Sequence, residues 1–485
     1  LWDSEQRQWY AARDRFGEKP LFFYFNEDLF FASELKALWT LGVPRRANSR
    51  MAYNFLTIGY TQNPADGLET FYEGVSKLPA GHWMCYKAGE ETIELNRFGE
   101  VEIEERELGD DEAIAEFQRL FGESIRRRLR SDVPLGTSLS GGIDSASVAA
   151  ICGQYGSSNY THKAFTAIFP GFEKDEQALS TMVAQRLQLE QHFVEIRDDD
   201  VAMLMDAVQA QQDEPVASAS ALAQYAVFSA AKKAGVTVLL DGQGADEMLA
   251  GYEKYYRWRW QELLREGKLS QSGELEAARA LDITETFGAV SRFAARMPHF
   301  SAGILESRRR KEAGRTPFLH RDFVSANRPY FYYMLPPQLT LNGVLHYNTF
   351  TNGLEELLRL ADRNSMAHSL EVRLPFVSPE LVQFLFTLPA RFKIREGRTK
   401  WLLRKAMEGQ LPEEVLWQPR KTGFEPPQAR WMMLPDVQER IHESKRQLVH
   451  AGVLDASVMS KKIQPHTSYA AAGADWKYWA LAVLY

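Results

Sequence analysis

Ser140-Gly141-Gly142-Ile143-Asp144-Ser145 stands between a short strand end at 137–139 and a run of small and apolar residues at 145–152 that reads as a helix. A glycine pair at a strand-to-helix turn lets the backbone bend sharply and approach a ligand closely. The amides that open the helix then point at that ligand, and the helix dipole favours an anion there. Ser140 and Ser145 add hydroxyl donors. Asp144 repels a phosphate unless a divalent cation lies between them, so the loop reads as a phosphate cradle with Mg2+ held by Asp144. Taken alone, the six residues are also readable as a serine-glycine turn closed by an aspartate cap.

On either side of this loop, strand and helix patterns alternate. Helices are expected at 113–130, 176–187 and 221–234, and strands at 165–169, 192–196 and 236–240. Continuous apolar strands separated by helices argue for a parallel, doubly wound sheet, so the fold class is α/β. Beyond about residue 250 no further strand is expected, and the rest reads as helices with Trp- and Arg-rich loops. Residues 1 to 95 read as β-rich. Apolar runs at 21–25 and 29–32 flank Asn26-Glu27-Asp28 as a hairpin, and 81–86 is another short strand. The acidic, extended stretch near 97–108 reads as a linker, with a structured acidic surface as the alternative. The expected organisation is therefore a β-rich unit at 1–95, a linker at 96–110 and an α/β unit at 111–485.

A second loop, Asp241-Gly242-Gln243-Gly244-Ala245-Asp246-Glu247, follows the strand at 236–240. Loops at the carboxyl ends of parallel strands meet at the ligand crevice. Asp144 and Asp246 then become two oxygen ligands for one Mg2+. A capped helix start with surface acids is the plainer reading of this loop. Neither loop has the Lys-Ser/Thr that closes a Walker A motif, which points away from γ-phosphoryl transfer. A third element, Arg398-Thr399-Lys400, precedes a helix at 401–407. A cation near the crevice neutralises charge on a transferring phosphate, although lysines are ordinarily surface residues.

The 485 residues exceed one hydrophobic core, so two or three domains are expected. A net charge of −7 leaves no electrostatic footprint for nucleic acid, and an anionic substrate must be met by local positive charge. Cys85 and Cys152 are too few and too far apart for a disulfide framework, which fits a reducing, cytoplasmic compartment. Cys152, among Val148, Ala149, Ala150 and Ile151, reads as a small buried hydrophobe. No apolar run reaches membrane-spanning length and no signal peptide is visible. The chain begins at Leu1 in what reads as the middle of a strand, so further sequence before this point is expected.

At its loops the chain resembles the synthetase half of glutamine-dependent asparagine synthetases. Ser140 to Ser145 resembles the pyrophosphate loop of ATP pyrophosphatases. Leu240 to Glu247, with Gly251-Tyr252 behind it, is more specific to the asparagine synthetase branch. Asp362-Arg363-Asn364-Ser365-Met366-Ala367, Glu371-Val372-Arg373-Leu374-Pro375-Phe376 and Lys421-Thr422-Gly423-Phe424 resemble further blocks of that family. Arg13-Asp14-Arg15-Phe16-Gly17-Glu18-Lys19-Pro20-Leu21 and Ala32-Ser33-Glu34-Leu35-Lys36-Ala37 resemble the second half of the family's glutaminase domain, an N-terminal-nucleophile sandwich. The resemblance spans nearly the whole chain. It implies a parallel-sheet ATP-pyrophosphatase domain with a helical C-terminal part, behind a partial glutaminase sandwich.

The resemblance also implies roles. Ser140, Gly141, Gly142, Asp144 and Ser145 bind pyrophosphate; Asp144 and Asp246 bind Mg2+. Ser138, Leu139, Ala167, Asp241 and Gly242 contact ATP, partly through backbone. Lys400 stabilises adenylation. Asp246 and Gln243 join Lys400 as candidate catalytic residues. One branch of the family carries glutamate where this chain has Gln243, a candidate base for ammonia, and a β-lactam-forming relative has tyrosine there. Glutamine orients a partner but takes no proton. Val377-Ser378 stands where the family often has Leu-Asp. The family's nucleophilic cysteine is absent from these residues, and Cys85 is wrongly placed to replace it. As the chain stands no glutaminase activity is expected, so either more sequence precedes Leu1 or free ammonia or another amine is the nucleophile. The expected reaction is ATP-dependent amidation of a small carboxylate, aspartate by default, with glutamine or ammonia as donor. Relatives are often homodimers. Alternatives are an amidotransferase or amide-forming cyclase acting on another acid, a non-catalytic nucleotide-binding relative, and, more remotely, a tRNA-modifying ATP pyrophosphatase.

Overall fold

The front of the chain folds into two antiparallel sheets. One orders Trp2–Asp3, Gln8–Ala12, His82–Lys87 and Ile93–Arg97; the other orders Leu29–Ala32, Phe22–Phe25 and Val75–Lys77. The expected hairpin forms, with Phe25 paired to Leu29 around Asn26-Glu27-Asp28. Phe23, Leu78 and Met84 are buried together, packed by Trp9 and Ala11. Trp9 and Ala11 are two residues apart and so share a strand face. The computed structural model describes residues 1–155, 162–419, 424–468 and 473–485. Lys421, Thr422 and Gly423 of the family-like block therefore lie outside the described residues.

The acidic stretch after residue 97 is extended and lies along the C-terminal helices. The Arg106 amide donates to the Thr387 carbonyl at 2.8 Å, Glu107 meets Arg391 at 2.6 Å, and Val101 is buried. Helix Asp110–Arg128 follows. It buries Ala113, Phe117, Phe121 and Ile125 at intervals of four, one stripe of a helix. Acids in its first turn and arginines in its last complement the helix dipole. Phe121 stacks on Phe376 with ring centroids 4.5 Å apart.

Five parallel strands form the central sheet: β1 (Leu135–Ser138), β2 (Lys163–Ile168), β3 (Glu190–Glu195), β4 (Val238–Leu240) and β5 (Glu371–Arg373), in the spatial order β3-β2-β1-β4-β5. The α/β expectation holds, but the expectation of no strand beyond residue 250 is corrected by β5, and by the small hairpin of Ile394–Arg395 with Arg398–Thr399. β5 is three residues long and buries only Val372, so it offers no apolar run to read. Its register comes from β4, with Val238 opposite Glu371 and Leu240 opposite Arg373. The chain moves outward from β1 to β3, then returns to place β4 on the other side of β1. The crevice of such a sheet opens where the order reverses, at the carboxyl ends of β1 and β4. Both glycine-rich loops leave the sheet there.

A single buried apolar cluster runs from Phe16 to Leu484 and joins the front of the chain to the sheet and the C-terminal helices. Among the described residues no helix is long and apolar enough to cross a membrane. Cys85 and Cys152 are both free and buried, and burial pushes the Cys152 thiol up.

Candidate active site

The first loop closes on itself. The Ser140 amide donates to Ser145 Oγ at 3.0 Å, the two hydroxyl oxygens lie 3.0 Å apart, and the Gly142 amide donates to Ser140 Oγ at 3.1 Å. Ahead of it, the Leu139 amide donates to the Phe165 carbonyl at 2.9 Å, carrying β1 onward beside β2. A Cβ on Gly141 would lie 2.8 Å from Leu179 Cβ, so only glycine lets the loop press on helix Gln177–Leu187. A Cβ on Gly242 would lie 2.8 Å from the Ser145 backbone nitrogen. The two loops therefore touch backbone to backbone, and their glycines are what permit it.

Where they meet, three charges converge. Lys400 Nζ lies 2.6 and 2.5 Å from the two carboxylate oxygens of Asp144, and 2.6 Å from Asp246 Oδ1. Lys400 is 2% exposed. Burial pushes the ammonium pKa down, and Asp144 opposes that shift. Its backbone is left-handed at φ 54°, between strand Arg398–Thr399 and helix Trp401–Ala406, and its amide donates to the Leu249 carbonyl at 3.1 Å. A non-glycine residue in that region costs about 1–2 kcal/mol and persists where the surroundings dictate it. Here a hydrogen bond from the backbone and two carboxylates on the side chain hold it.

Nearby groups are tuned by burial. Burial pushes the Asp241 carboxyl up to about 6. Burial also raises Glu247, which accepts a hydrogen bond from the Tyr252 hydroxyl at 2.6 Å. Arg404 is buried, its pKa lowered by burial to about 10, and its Nε donates to the Thr399 carbonyl at 2.7 Å.

A cavity of about 140 Å3 lies between the loops. Of the residues singled out in the sequence, Ser140, Gly142, Asp144, Ser145, Asp241, Gly242, Gln243, Asp246 and Lys400 line it. Ser138, Leu139, Gly141 and Ala167 do not. Ser138 ends β1, Leu139 is buried, Gly141 packs on the next helix, and Ala167 is buried within β2. Sequence reasoning missed Arg404 and Phe424 as lining residues. Arg404 carried no signal of its own in the sequence, where it reads as one more charged residue of helix Trp401–Ala406. A second cavity, of about 710 Å3, adjoins the first and shares Gln243, Asp246 and Phe424 with it. Among the described residues the carbonyl oxygen of the Gln243 side chain is buried with no hydrogen-bond partner.

Asp144 and Asp246 present oxygen donors suited to a hard divalent cation. Among the described residues no set of three or more His, Cys, Asp or Glu forms a full metal cage. Both Asp144 oxygens and Asp246 Oδ1 face Lys400 Nζ, so the two carboxylates would hold Mg2+ only with the ammonium moved aside and with phosphate and water completing the shell.

Two families of known proteins match. Residues 116–484 match the family described as asparagine synthase, and residues 1–98 match the glutamine amidotransferase domain. Asparagine synthetase [glutamine-hydrolyzing] 1 of Bacillus subtilis strain 168 is 26% identical over 94% of this chain and 71% of its own length. A putative asparagine synthetase of Mycobacterium bovis is 28% identical over 96% of this chain and 72% of its own. Amidase chry2 of Gibberella zeae is 23% identical over 88% of this chain and 69% of its own.

Proposed function

The chain belongs to the asparagine synthase family, and from that premise we propose that its crevice adenylates a carboxylic acid and passes the acyl group to ammonia. It is an ATP-using carbon–nitrogen ligase of the glutamine-dependent kind. A carboxylate oxygen attacks the α-phosphorus of ATP, the bond to the bridging oxygen breaks, and pyrophosphate leaves. Nitrogen then attacks the acyl carbon, the bond to AMP breaks, and an amide remains.

The protein's part is positioning and charge. The Ser140 and Gly142 amides are taken within the loop, so it is the amides opening helix Ile143–Tyr155 that face the departing pyrophosphate. Asp144 and Asp246 would hold Mg2+, which when bound neutralises phosphate charge. Lys400 opposes the charge that grows on the α-phosphate. Arg404, one helical turn on, adds a second cation to the same wall. Gln243 stands between the two cavities. Its side-chain amide can orient a partner but takes no proton. The observation that carries this reading is the seat of Lys400 between Asp144 and Asp246, where the two loops touch.

Aspartate is the default acid. The size of the adjoining cavity, about 710 Å3, favours a second reading in which a larger carboxylic acid is amidated or cyclised. The two free, buried cysteines fit a reducing, cytoplasmic setting, and a homodimer is the proposed assembly. Lys400→Ala tests the assignment. It is expected to abolish ATP–pyrophosphate exchange while leaving ATP binding largely intact; equal loss of both would remove the role given to Lys400.

A further inference from the structure

The chain as a whole is acidic, yet from Gly288 to Arg321 eight arginine and lysine residues stand against two carboxylates, Glu306 and Glu312. Part of this excess folds into a concave site well apart in sequence from the crevice. Helix Pro298–Ala313, the turn after it, helix Arg321–Asn327 and the short 3-10 turn Arg328–Tyr330 enclose a cavity of about 590 Å3. Arg310, Arg315, Arg321 and Arg328 all line it, with the hydroxyls of Thr316 and Ser325, and no carboxylate does.

Four like charges around one hollow repel one another, and because Arg315, Arg321 and Arg328 are exposed, water screens part of that repulsion. Among the described residues few carboxylates offset it. Arg310 meets Glu306 at 3.5 Å and lies over the Phe331 ring. Among the described residues Arg315, Arg321 and Arg328 form no ion pair, although the Asp455 carboxylate, outside the lining, feels the charge of Arg321. The wall that carries Arg328 is tied to helix Ser49–Ile58. Ser49 Oγ donates to Asn327 Oδ1 at 2.9 Å, the Asn54 side-chain amide donates to the Tyr330 carbonyl at 2.9 Å, and the Tyr332 amide donates back to Asn54 Oδ1 at 2.9 Å. Gly314 has no side chain to hold Arg328 off, since a Cβ there would lie 3.2 Å from Arg328 Nε.

We propose that this arginine-lined cavity binds a phosphate-bearing anion at a site separate from the catalytic crevice. Guanidinium groups match phosphate oxygens with paired, charge-assisted hydrogen bonds, and the flanking hydroxyls add single donors. The volume accommodates an anion larger than a single phosphate. The phosphate comes either from a free polyphosphate or from a phospholipid headgroup.

The full chain is titrated calorimetrically with inorganic pyrophosphate, without Mg2+, as wild type, as Arg315→Glu/Arg321→Glu and as Arg315→Lys/Arg321→Lys. The same proteins are sedimented with vesicles of neutral phosphatidylcholine and of phosphatidylcholine containing anionic phosphatidylinositol phosphate. The wild type is expected to show a pyrophosphate site that weakens with added salt. The double glutamate variant should lose that site by at least about tenfold in affinity, a change of about 1.4 kcal/mol, while the double lysine variant retains part of it and controls for folding. Sedimentation with the anionic vesicles alone, lost in the glutamate variant, assigns the phosphate to a headgroup; a calorimetric site without sedimentation assigns it to a free polyphosphate. Isotherms and sedimentation identical in the wild type and the glutamate variant would overturn the proposal.

Discussion

Gly251 lies so close to Lys400 that a Cβ at position 251 would stand 2.5 Å from the lysine's Cε and 1.7 Å from Asp246 Oδ1. The residue has no chemistry of its own. Its missing side chain is the space in which the Lys400–Asp246 pair sits.

Gly251→Ala is therefore expected to displace the ion pair without opening the fold. A shift of about 1 Å in a catalytic group costs about 100-fold in rate, and local overpacking costs about 1–3 kcal/mol. ATP–pyrophosphate exchange should fall by about that factor, with a modest drop in thermal stability. Exchange at the wild-type rate would show that the pair tolerates the methyl group and that its position is not critical.

Glu355 joins the front of the chain to the synthetase part. It meets Arg13 at 2.8 Å and Lys77 at 2.9 Å, with Arg13 4% exposed. Burial alone would raise this carboxyl; Lys77 and Arg13 overcome it and hold the pKa down to about 2. A carboxyl depressed in the folded state contributes stability that is present above its unfolded pKa, about 4.5, and is lost as pH falls toward 2. Glu355→Gln leaves two cations facing a neutral group, and breaking a buried pair in this way costs about 3–5 kcal/mol. Urea unfolding from pH 7 down to pH 2 should show the variant less stable at neutral pH, with the gap closing under acid. A constant gap would assign the loss to packing and not to charge.

Asp241 has the opposite sign. Its folded pKa of about 6 lies above the ordinary 3.8, so its contribution is fully present below pH 3.8 and is lost as pH rises through about 6. Asp241→Asn removes the titration while nearly keeping the shape of the side chain. Its stability relative to wild type should rise between pH 4 and pH 7. Parallel stability profiles for the two proteins across that range would mean that the carboxylate is solvated and not penalised.

Much of this site was readable because it rests on short-range rules. The Ser140–Ser145 turn and the Asp241–Glu247 loop announce themselves by glycines placed between an apolar strand and a helix, and the front hairpin by two apolar runs around polar residues. What stayed hidden depends on distant partners. β5 is a three-residue strand with one buried side chain, defined by its pairing to β4. Lys400 could be named from its block, but its seat between Asp144 and Asp246 exists because the chain returns to the crevice more than 150 residues after Asp246. Gly251 could be quoted as part of a block, but its purpose appears only with Lys400 beside it. Ala167, drawn in by resemblance, lies buried in β2 and lines neither of the two adjoining cavities. The arginine-lined cavity escaped because net charge averages over the chain, and a local excess of one sign has to be folded before it converges.

The most direct measurement is pyrophosphate release from ATP and Mg2+, with ammonium present, across a panel of carboxylic acids that includes aspartate, glutamate and larger amino-acid derivatives. Adenylation at this crevice requires release that depends on an added acid, is accompanied by AMP and an amide, and disappears in Lys400→Ala. Release with aspartate yields asparagine; release only with a larger acid keeps the chemistry and assigns the wide cavity its substrate. Bound ATP with no pyrophosphate released for any acid would contradict adenylation and leave the crevice a nucleotide-binding site without that reaction.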